Sequence, residues 1–168
     1  LPERQPRPER VSRYDIAALK EDLAGIALID ETQVVRKRSR DFFWYSPILN
    51  QQLADKSADI IATPRDEAEV VRIAAACARR RIPLTVRAAG TGNYGQAVPL
   101  EGGVLLDITG LTGIEWQKPG IARIAAGARM LDVDIALRET GFEQRIPRPS
   151  AARPSAVSLR AVRAGSAR

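Results

Sequence analysis

Residues 58–108 alternate between short apolar runs and one amphipathic stretch, and this pattern constrains the fold more than any other feature of the sequence. Asp59–Ala62 predicts a short strand, Arg65–Arg80 an amphipathic helix, and Leu84–Arg87 and Gly103–Ile108 two further strands. Strands separated by a helix in this way are typical of a sheet packed against helices. The pattern therefore predicts an α+β (mixed α/β) fold.

The predicted helix has its own start signals. Thr63 and Asp66 have the spacing of a capping box, and Pro64 suits the first helical turn. Apolar residues recur along the helix at the spacing of one face, and we expect them to be buried. They are Val70, Ile73, Ala74 and Cys77.

Further elements are predicted on both sides of this segment. Tyr14–Leu23 predicts a short helix, and the aromatic run Phe42–Tyr45 is expected to pack in the core or between lobes. Gly113–Gln117 and Ile121–Ala126 predict two strands, and Met130–Thr140 predicts a second amphipathic helix.

A glycine-rich loop follows the predicted strand at Leu84–Arg87. Its small residues leave backbone N–H groups free to converge on an anion, and Thr91 and Asn93 add side-chain donors. It is not a P-loop, which ends in Gly-Lys-Ser/Thr, nor a Rossmann fingerprint, which leads directly into a helix. On spacing alone, a diphosphate cradle and a plain glycine-rich turn both remain open.

Residues 58–141 contain two stretches that are specific in combination, ADIIATPRDEAEVVRIAAACARRRIPLTVRAAGTGNYGQAVPLEGGVLLDITGL and IAAGARMLDV. Together they resemble the first lobe of the FAD-binding PCMH-type domain of the vanillyl-alcohol oxidase superfamily. The similarity is greatest to the FAD-linked oxidases that include D-lactate and glycolate dehydrogenases. The resemblance implies a small-molecule substrate, a 2-hydroxy acid, whose hydride passes to the flavin in the intact enzyme.

The resemblance also assigns a cofactor site. In that family a loop of the form R-x-x-G-T holds the FAD diphosphate. The corresponding cofactor-binding residues here are Ala88, Ala89, Gly90, Thr91, Gly92, Asn93, Gly95 and Gln96. Some members attach the flavin through a histidine in this loop, but this sequence has Thr91 there and no histidine anywhere, which implies non-covalent FAD.

The absence of histidine also excludes Ser-His-Asp and Cys-His catalysis and histidine-containing metal sites within this chain. The catalytic residues stay unknown.

The resemblance ends after Gln144, where the family continues with a second glycine-rich FAD segment. This sequence has IPRPSAARPSAVSLRAVRAGSAR instead. Codons for these residues can be chosen so that a shifted frame encodes a segment of the family's glycine-rich form. We therefore hypothesise that the reading frame was lost near Glu143–Ile146, so that the domain is truncated before its second lobe.

Three regions follow from these observations. Residues 1–57 form an N-terminal extension, 58–144 the first lobe, and 145–168 an aberrant, frameshifted and disordered basic tail. A flavin site built between two lobes would be half complete here. We therefore expect weak or absent FAD binding, no activity and marginal stability.

The charge distribution leaves an alternative function open. The chain has 26 basic and 20 acidic residues, a net charge of +6. Six of the arginines follow Gln144, so the residues before it are neutral overall. A non-catalytic protein that binds nucleic acid or another polyanion through this tail is the alternative, and a small nucleotide-binding module is a third. The neutral body argues against a nucleic-acid partner.

The remaining composition bounds the compartment. No apolar run approaches the ~18 residues of a membrane span, and the charged start lacks the apolar stretch of a signal peptide. We therefore expect no transmembrane segment and a cytoplasmic location. One cysteine excludes an internal disulfide framework.

Overall fold

The computed structural model describes residues 12–144 and 159–163 and contains two sheets. The first has four strands, β1 (Ala27–Ile29), β2 (Ile60–Thr63), β3 (Leu84–Arg87) and β4 (Val104–Asp107), in the order β1–β2–β4–β3. β2, β4 and β3 are parallel, and β1 runs antiparallel to β2. The predicted strands and the mixed α/β class are therefore confirmed.

Helices cover both faces of this sheet. α1 (Ile16–Asp22) lies on one face and α2 (Thr32–Arg38) on the other. A 3₁₀ turn at Phe43–Tyr45 leads into α3 (Pro47–Leu53), and α4 (Glu67–Arg80) packs on the same face as α1. Of these helices, the sequence predicts α1 and α4 but not α2 or α3.

The core lies on both sides of the first sheet. Successive side chains of a strand point to opposite faces, so β2 and β4 each contribute to two clusters. The cluster under α1 and α4 includes Leu19, Ile60, Ile73, Val104 and Leu106. The cluster under α2 includes Val35, Ala58, Ile61 and Leu105. Because both faces are covered, the central strands are continuous apolar runs rather than alternating ones.

α4 begins later than the predicted capping box. Asp66 is its N-cap, and the Asp66 carboxylate accepts the Glu69 N–H at 2.8 Å. Glu69 Oε2 in turn accepts the Arg65 N–H at 2.8 Å, which gives a reciprocal pair like that of a capping box. Thr63 belongs to β2, and its hydroxyl donates to the Ala27 carbonyl. The prediction of Thr63 as the cap is therefore wrong.

The buried stripe of α4 differs from the predicted one at a single position. Ile73 and Cys77 are buried and Val70 is half-buried, as expected, but Ala74 is exposed and Ala76 takes its place. The shift places the stripe against both α1 and the sheet.

The second sheet is antiparallel and carries one helix. It contains β5 (Ile114–Lys118), β6 (Ile121–Ile124), β7 (Phe142–Gln144) and β8 (Leu159–Arg163), in the order β5–β6–β8–β7. α5 (Met130–Glu139) buries Val133 and Leu137 against Ile124 and Ala128. The two strands and the helix predicted here are confirmed within two residues.

β8 lies in the tail for which the sequence predicts disorder, and that prediction is wrong for its five residues. β6 and β7 each present an edge, and β8 pairs with both of them through its backbone. The rest of the tail lies outside the described residues. The three-region division and the frame hypothesis stay predictions.

Candidate functional site

The glycine-rich loop leaves β3 at the edge of the first sheet and borders an open cavity of about 180 Å³. The cavity is lined by Asp41, Ala88, Ala89, Gly90, Thr91, Gly92, Gln96 and Ala97. Six of the eight predicted site residues are therefore brought together. Asn93 and Gly95 are not among the lining residues.

Gly95 has a packing role instead. Its φ is +79°, and a Cβ added there would lie 2.5 Å from Leu53 Cδ1 of α3. Asn93 is exposed. The structure thus separates the glycines that border the cavity from the one that packs the loop onto α3.

Gly90 and Gly92 allow close approach of side chains to the loop. A Cβ on Gly90 would lie 2.1 Å from the central guanidinium carbon of Arg87, and one on Gly92 would lie 2.5 Å from Gln96 Oε1. Gly90 also has a φ of +63°, in the left-handed region that favours glycine. Gly90 therefore needs glycine for its backbone conformation and for the buried Arg87, whereas the exposed Gln96 side chain could move away from a residue at Gly92.

The loop backbone has free donors. The N–H groups of residues 88–93 donate no hydrogen bond to the part of the chain that the structure describes. Consecutive N–H groups without internal acceptors form the kind of concave donor surface that binds anions. The backbone of this loop therefore has donors available to an anion such as a phosphate.

Arg87 places a positive charge behind the loop. It is 8% exposed, its Nη1 donates to the Arg40 carbonyl at 2.7 Å, and burial lowers its pKa from the ordinary value. Asp107 opposes that shift, and is itself 3% exposed and bound to Arg38 at 2.9 Å. Arg87 is buried beside Gly90, and its charge favours an anion there.

Asp41 is the cavity residue that sequence reasoning missed. It is 4% exposed, and its Oδ1 accepts the Phe43 N–H at 2.8 Å. The next residue, Phe42, donates its N–H to the Gly92 carbonyl at 2.8 Å, which attaches the 3₁₀ turn to the loop. An acid placed directly before four aromatic residues was the available signal, since a short polar side chain there can bond the following backbone.

The aromatic run divides between core and surface. Phe43 is fully buried, whereas Phe42, Trp44 and Tyr45 are 43%, 50% and 70% exposed. Trp44 and Tyr45 stack with ring centroids 4.0 Å apart. Core packing is confirmed for Phe43, because a single 3₁₀ turn directs its successive side chains to different sides. Packing of the three exposed rings between lobes stays a prediction.

Two further findings concern the described residues as a group. They contain no cluster of three His, Cys, Asp or Glu side chains that could hold a metal ion. None of their helices has the length and apolar character needed to cross a bilayer.

Comparison with known proteins adds to this geometry. The family described as FAD binding domain matches residues 58–158. Glycolate oxidase subunit GlcD of Escherichia coli (strain K12) is 38% identical over 80 residues, which are 46% of this chain and 16% of that protein.

Solved structures resemble the chain in fold. An alkyldihydroxyacetonephosphate synthase has a TM-score of 0.69 at 14% identity, over 89% of this chain and 29% of that one. A chitooligosaccharide oxidase has a TM-score of 0.62 at 15% identity, over 82% of this chain and 28% of that one. The chain thus spans 16% of the curated relative and less than a third of these structures.

Proposed function

The chain belongs to the FAD binding domain family, which matches more than half of its residues, and from that membership we propose that it forms the diphosphate-binding part of a flavin-dependent oxidoreductase. The resemblance to PCMH-type FAD-linked oxidases, predicted from residues 58–141, is confirmed by the same match and by the relatives. Non-covalent FAD binding at the loop is the finer proposal.

The free N–H groups of residues 88–93 in front of the buried Arg87 carry this proposal. Backbone donors and a fixed positive charge would together hold the diphosphate and orient the dinucleotide. Thr91 adds a hydroxyl at the cavity wall. FAD, when bound, supplies the redox chemistry, and these residues bind and position it.

We propose weak FAD binding by this chain on the basis of the cavity. Sites that enclose a ligand of moderate size have volumes of roughly 300–1,000 Å³. The cavity beside the loop is about 180 Å³ and open to solvent, so it suits the diphosphate and not the rings at either end. Most of the cofactor surface would stay in water, and burial of that surface is the main source of affinity.

Titration of the chain with FAD and with ADP tests this proposal. We expect saturable, weak binding of both, with backbone amide NMR shifts concentrated at residues 88–92. An absence of shifts at millimolar ADP and FAD would contradict diphosphate binding. Purified protein that is yellow and holds one FAD per chain would contradict the weakness of binding but not its site.

We further propose that the intact enzyme oxidises a 2-hydroxy acid. The Escherichia coli relative is named as a subunit of a glycolate oxidase, and glycolate is a 2-hydroxy acid. The test is to read the DNA from codon 143, and then to add D-lactate or glycolate to protein made from a restored frame. We expect a glycine-rich second frame and bleaching of the flavin absorbance by one of the acids. A DNA sequence without that frame would refute the frameshift.

A further inference from the structure

Asp41 has a buried carboxylate oxygen that accepts no hydrogen bond from the described residues, although the charge of Arg87 acts on the carboxylate. Its Oδ1 accepts the Phe43 N–H, but its Oδ2 has no hydrogen-bond partner within the described residues and is shielded from solvent. The whole side chain is 4% exposed. A buried acceptor left unsatisfied is costly, so a donor that reaches Oδ2 would gain an unusually strong interaction.

The position of this oxygen connects it to the cavity. Oδ2 lies 3.4 Å from where a Gly92 Cβ would stand, and Gln96 Oε1 lies 2.5 Å from the same point. Asp41 and Gln96 thus share one wall of the cavity. Gln96 is long and exposed, and it is held through one hydrogen bond from the Tyr94 N–H at 3.1 Å. The Gln96 side chain can therefore move, and a ligand that approaches Gly92 would come close to Asp41 Oδ2.

The two walls of the cavity have opposite hydrogen-bonding character. The loop offers backbone N–H donors, whereas Asp41 offers an acceptor. A diphosphate satisfies the loop but has no donor for Asp41, and its charge is repelled by a carboxylate. A ligand that satisfies both walls carries a hydroxyl group close to its diphosphate.

We propose that Asp41 is a specificity-determining residue that accepts a hydrogen bond from a sugar or ribityl hydroxyl of the nucleotide held by the loop. This inference rests on the proposed function, because it takes the diphosphate in the loop as given. Asp41 would make that site prefer diphosphates that carry a hydroxyl group over simple phosphates. The hydroxyl belongs either to the ribose or to the ribityl chain, and both have the same chemistry.

Asp41→Asn is the informative variant. The asparagine oxygen still accepts the Phe43 N–H, whereas the cavity-facing atom becomes a donor. We expect FAD binding to weaken about tenfold or more, as for loss of a hydrogen bond to a charged group. If the hydroxyl is on the ribose, the binding of ADP should weaken in parallel. If it is on the ribityl chain, the binding of FMN should weaken instead. Pyrophosphate should bind the variant as well as before or more tightly.

Asp30→Asn provides a matched control, since it makes the same charge change at an exposed site where Asp30 pairs with Lys20. Its ligand affinities should equal those of the unmodified chain. Unchanged FAD affinity of Asp41→Asn would overturn the inference. An equal loss for pyrophosphate would overturn it too, because Asp41 would then only organise the loop.

Two further outcomes keep the tests separate. If the unmodified chain binds neither FAD nor ADP, the proposed function fails and this inference fails with it. If Asp41→Asn does not fold, the affinity of the unmodified chain is measured for two pairs of ligands. One pair is ADP and 2′,3′-dideoxy-ADP, and the other is FAD and FAD that lacks the ribityl hydroxyls. Weaker binding of one of the two deoxygenated ligands supports the inference, and equal affinity within both pairs overturns it.

Discussion

At Gly90 the backbone conformation and a neighbouring side chain impose the same requirement. The residue has a φ of +63°, and the Arg87 guanidinium occupies the space that a side chain would enter. Gly25 shares the first property, with a φ of +87°, but a Cβ there would meet nothing within 4 Å. The pair therefore separates backbone strain from steric conflict.

We predict that Gly90→Ala destabilises the chain more than Gly25→Ala does. The left-handed conformation costs both variants about 1–2 kcal/mol. Gly90→Ala must also displace Arg87, which adds roughly 1–3 kcal/mol of overpacking. Urea unfolding measures both, and FAD titration should show a loss for Gly90→Ala alone. Equal free energies of unfolding for the two variants would contradict the steric conflict.

Cys77 provides a second prediction, about thiol reactivity. It is 2% exposed on α4, and burial raises its pKa to about 11. The reactive thiolate is therefore scarce at pH 8, and the sulfur is also shielded. We expect a disulfide reagent such as DTNB to modify the folded chain far more slowly than the same chain in concentrated urea. Equal rates would mean that α4 does not bury this residue.

The elements differ in how well the sequence predicts them, for identifiable reasons. β2 and β4 are predictable because burial on both faces makes them continuous apolar runs. Thr63 and Asp66 both have cap chemistry, and the pairing of Thr63 with Ala27 across β1 and β2 decides between them. That pairing is not visible in the sequence.

The unpredicted elements depend on contacts made at a distance. α2 and α3 have seven residues each, as does the predicted α1, and helices of this length depend on tertiary packing that the sequence does not show. Asp41 could not be assigned to the site for a related reason. The Phe42 N–H bond to the Gly92 carbonyl, which joins the two segments, spans 50 residues of sequence.

The start of α4 carries a pH-dependent contribution to stability. The Arg65 side chain, and then its backbone N–H, holds the pKa of Glu69 below its ordinary value. A depressed pKa stabilises the fold above the ordinary carboxyl value, near 4.3, and the contribution is lost as the pH falls through the folded value. We predict that Glu69→Gln lowers stability at pH 7 and reduces its loss between pH 7 and pH 3.

Glu67→Gln is the control, because Glu67 is an exposed glutamate in the same first turn. Urea unfolding at several pH values would show a normal acid-induced loss for this variant. If Glu69→Gln loses as much stability on acidification as the unmodified chain, the interaction with Arg65 does not contribute.

For the whole molecule, one close backbone approach joins the two sheets. A Cβ on Gly127 would lie 2.0 Å from the Ile108 carbonyl oxygen, and the Gly127 N–H donates to the Leu111 carbonyl at 2.8 Å. The segment after β6 is thereby fixed to the segment after β4. The sequence did not predict this contact between the two segments.

The charge of the whole chain leads to a prediction about partners. The net charge of +6 comes from arginines after Gln144, while the residues before it are neutral. Nonspecific binding to DNA requires several phosphate contacts and weakens steeply with salt. Because the attraction would come from six arginines alone, with no net charge on the rest of the chain, we predict no binding of duplex DNA at about 0.15 M salt. Salt-dependent binding that disappears on deletion of residues 145–168 would instead favour the polyanion alternative.

The edge position of β3 has a kinetic consequence. The loop that follows β3, an edge strand, borders an open cavity, so we expect a nucleotide to leave without movement of a helix or strand. With an association rate constant of about 10⁶ M⁻¹s⁻¹ and millimolar affinity, the residence time would be on the order of 1 ms. Bound and free nucleotide would then exchange quickly on the NMR timescale, and long occupancy would require a part of the protein that closes over this edge.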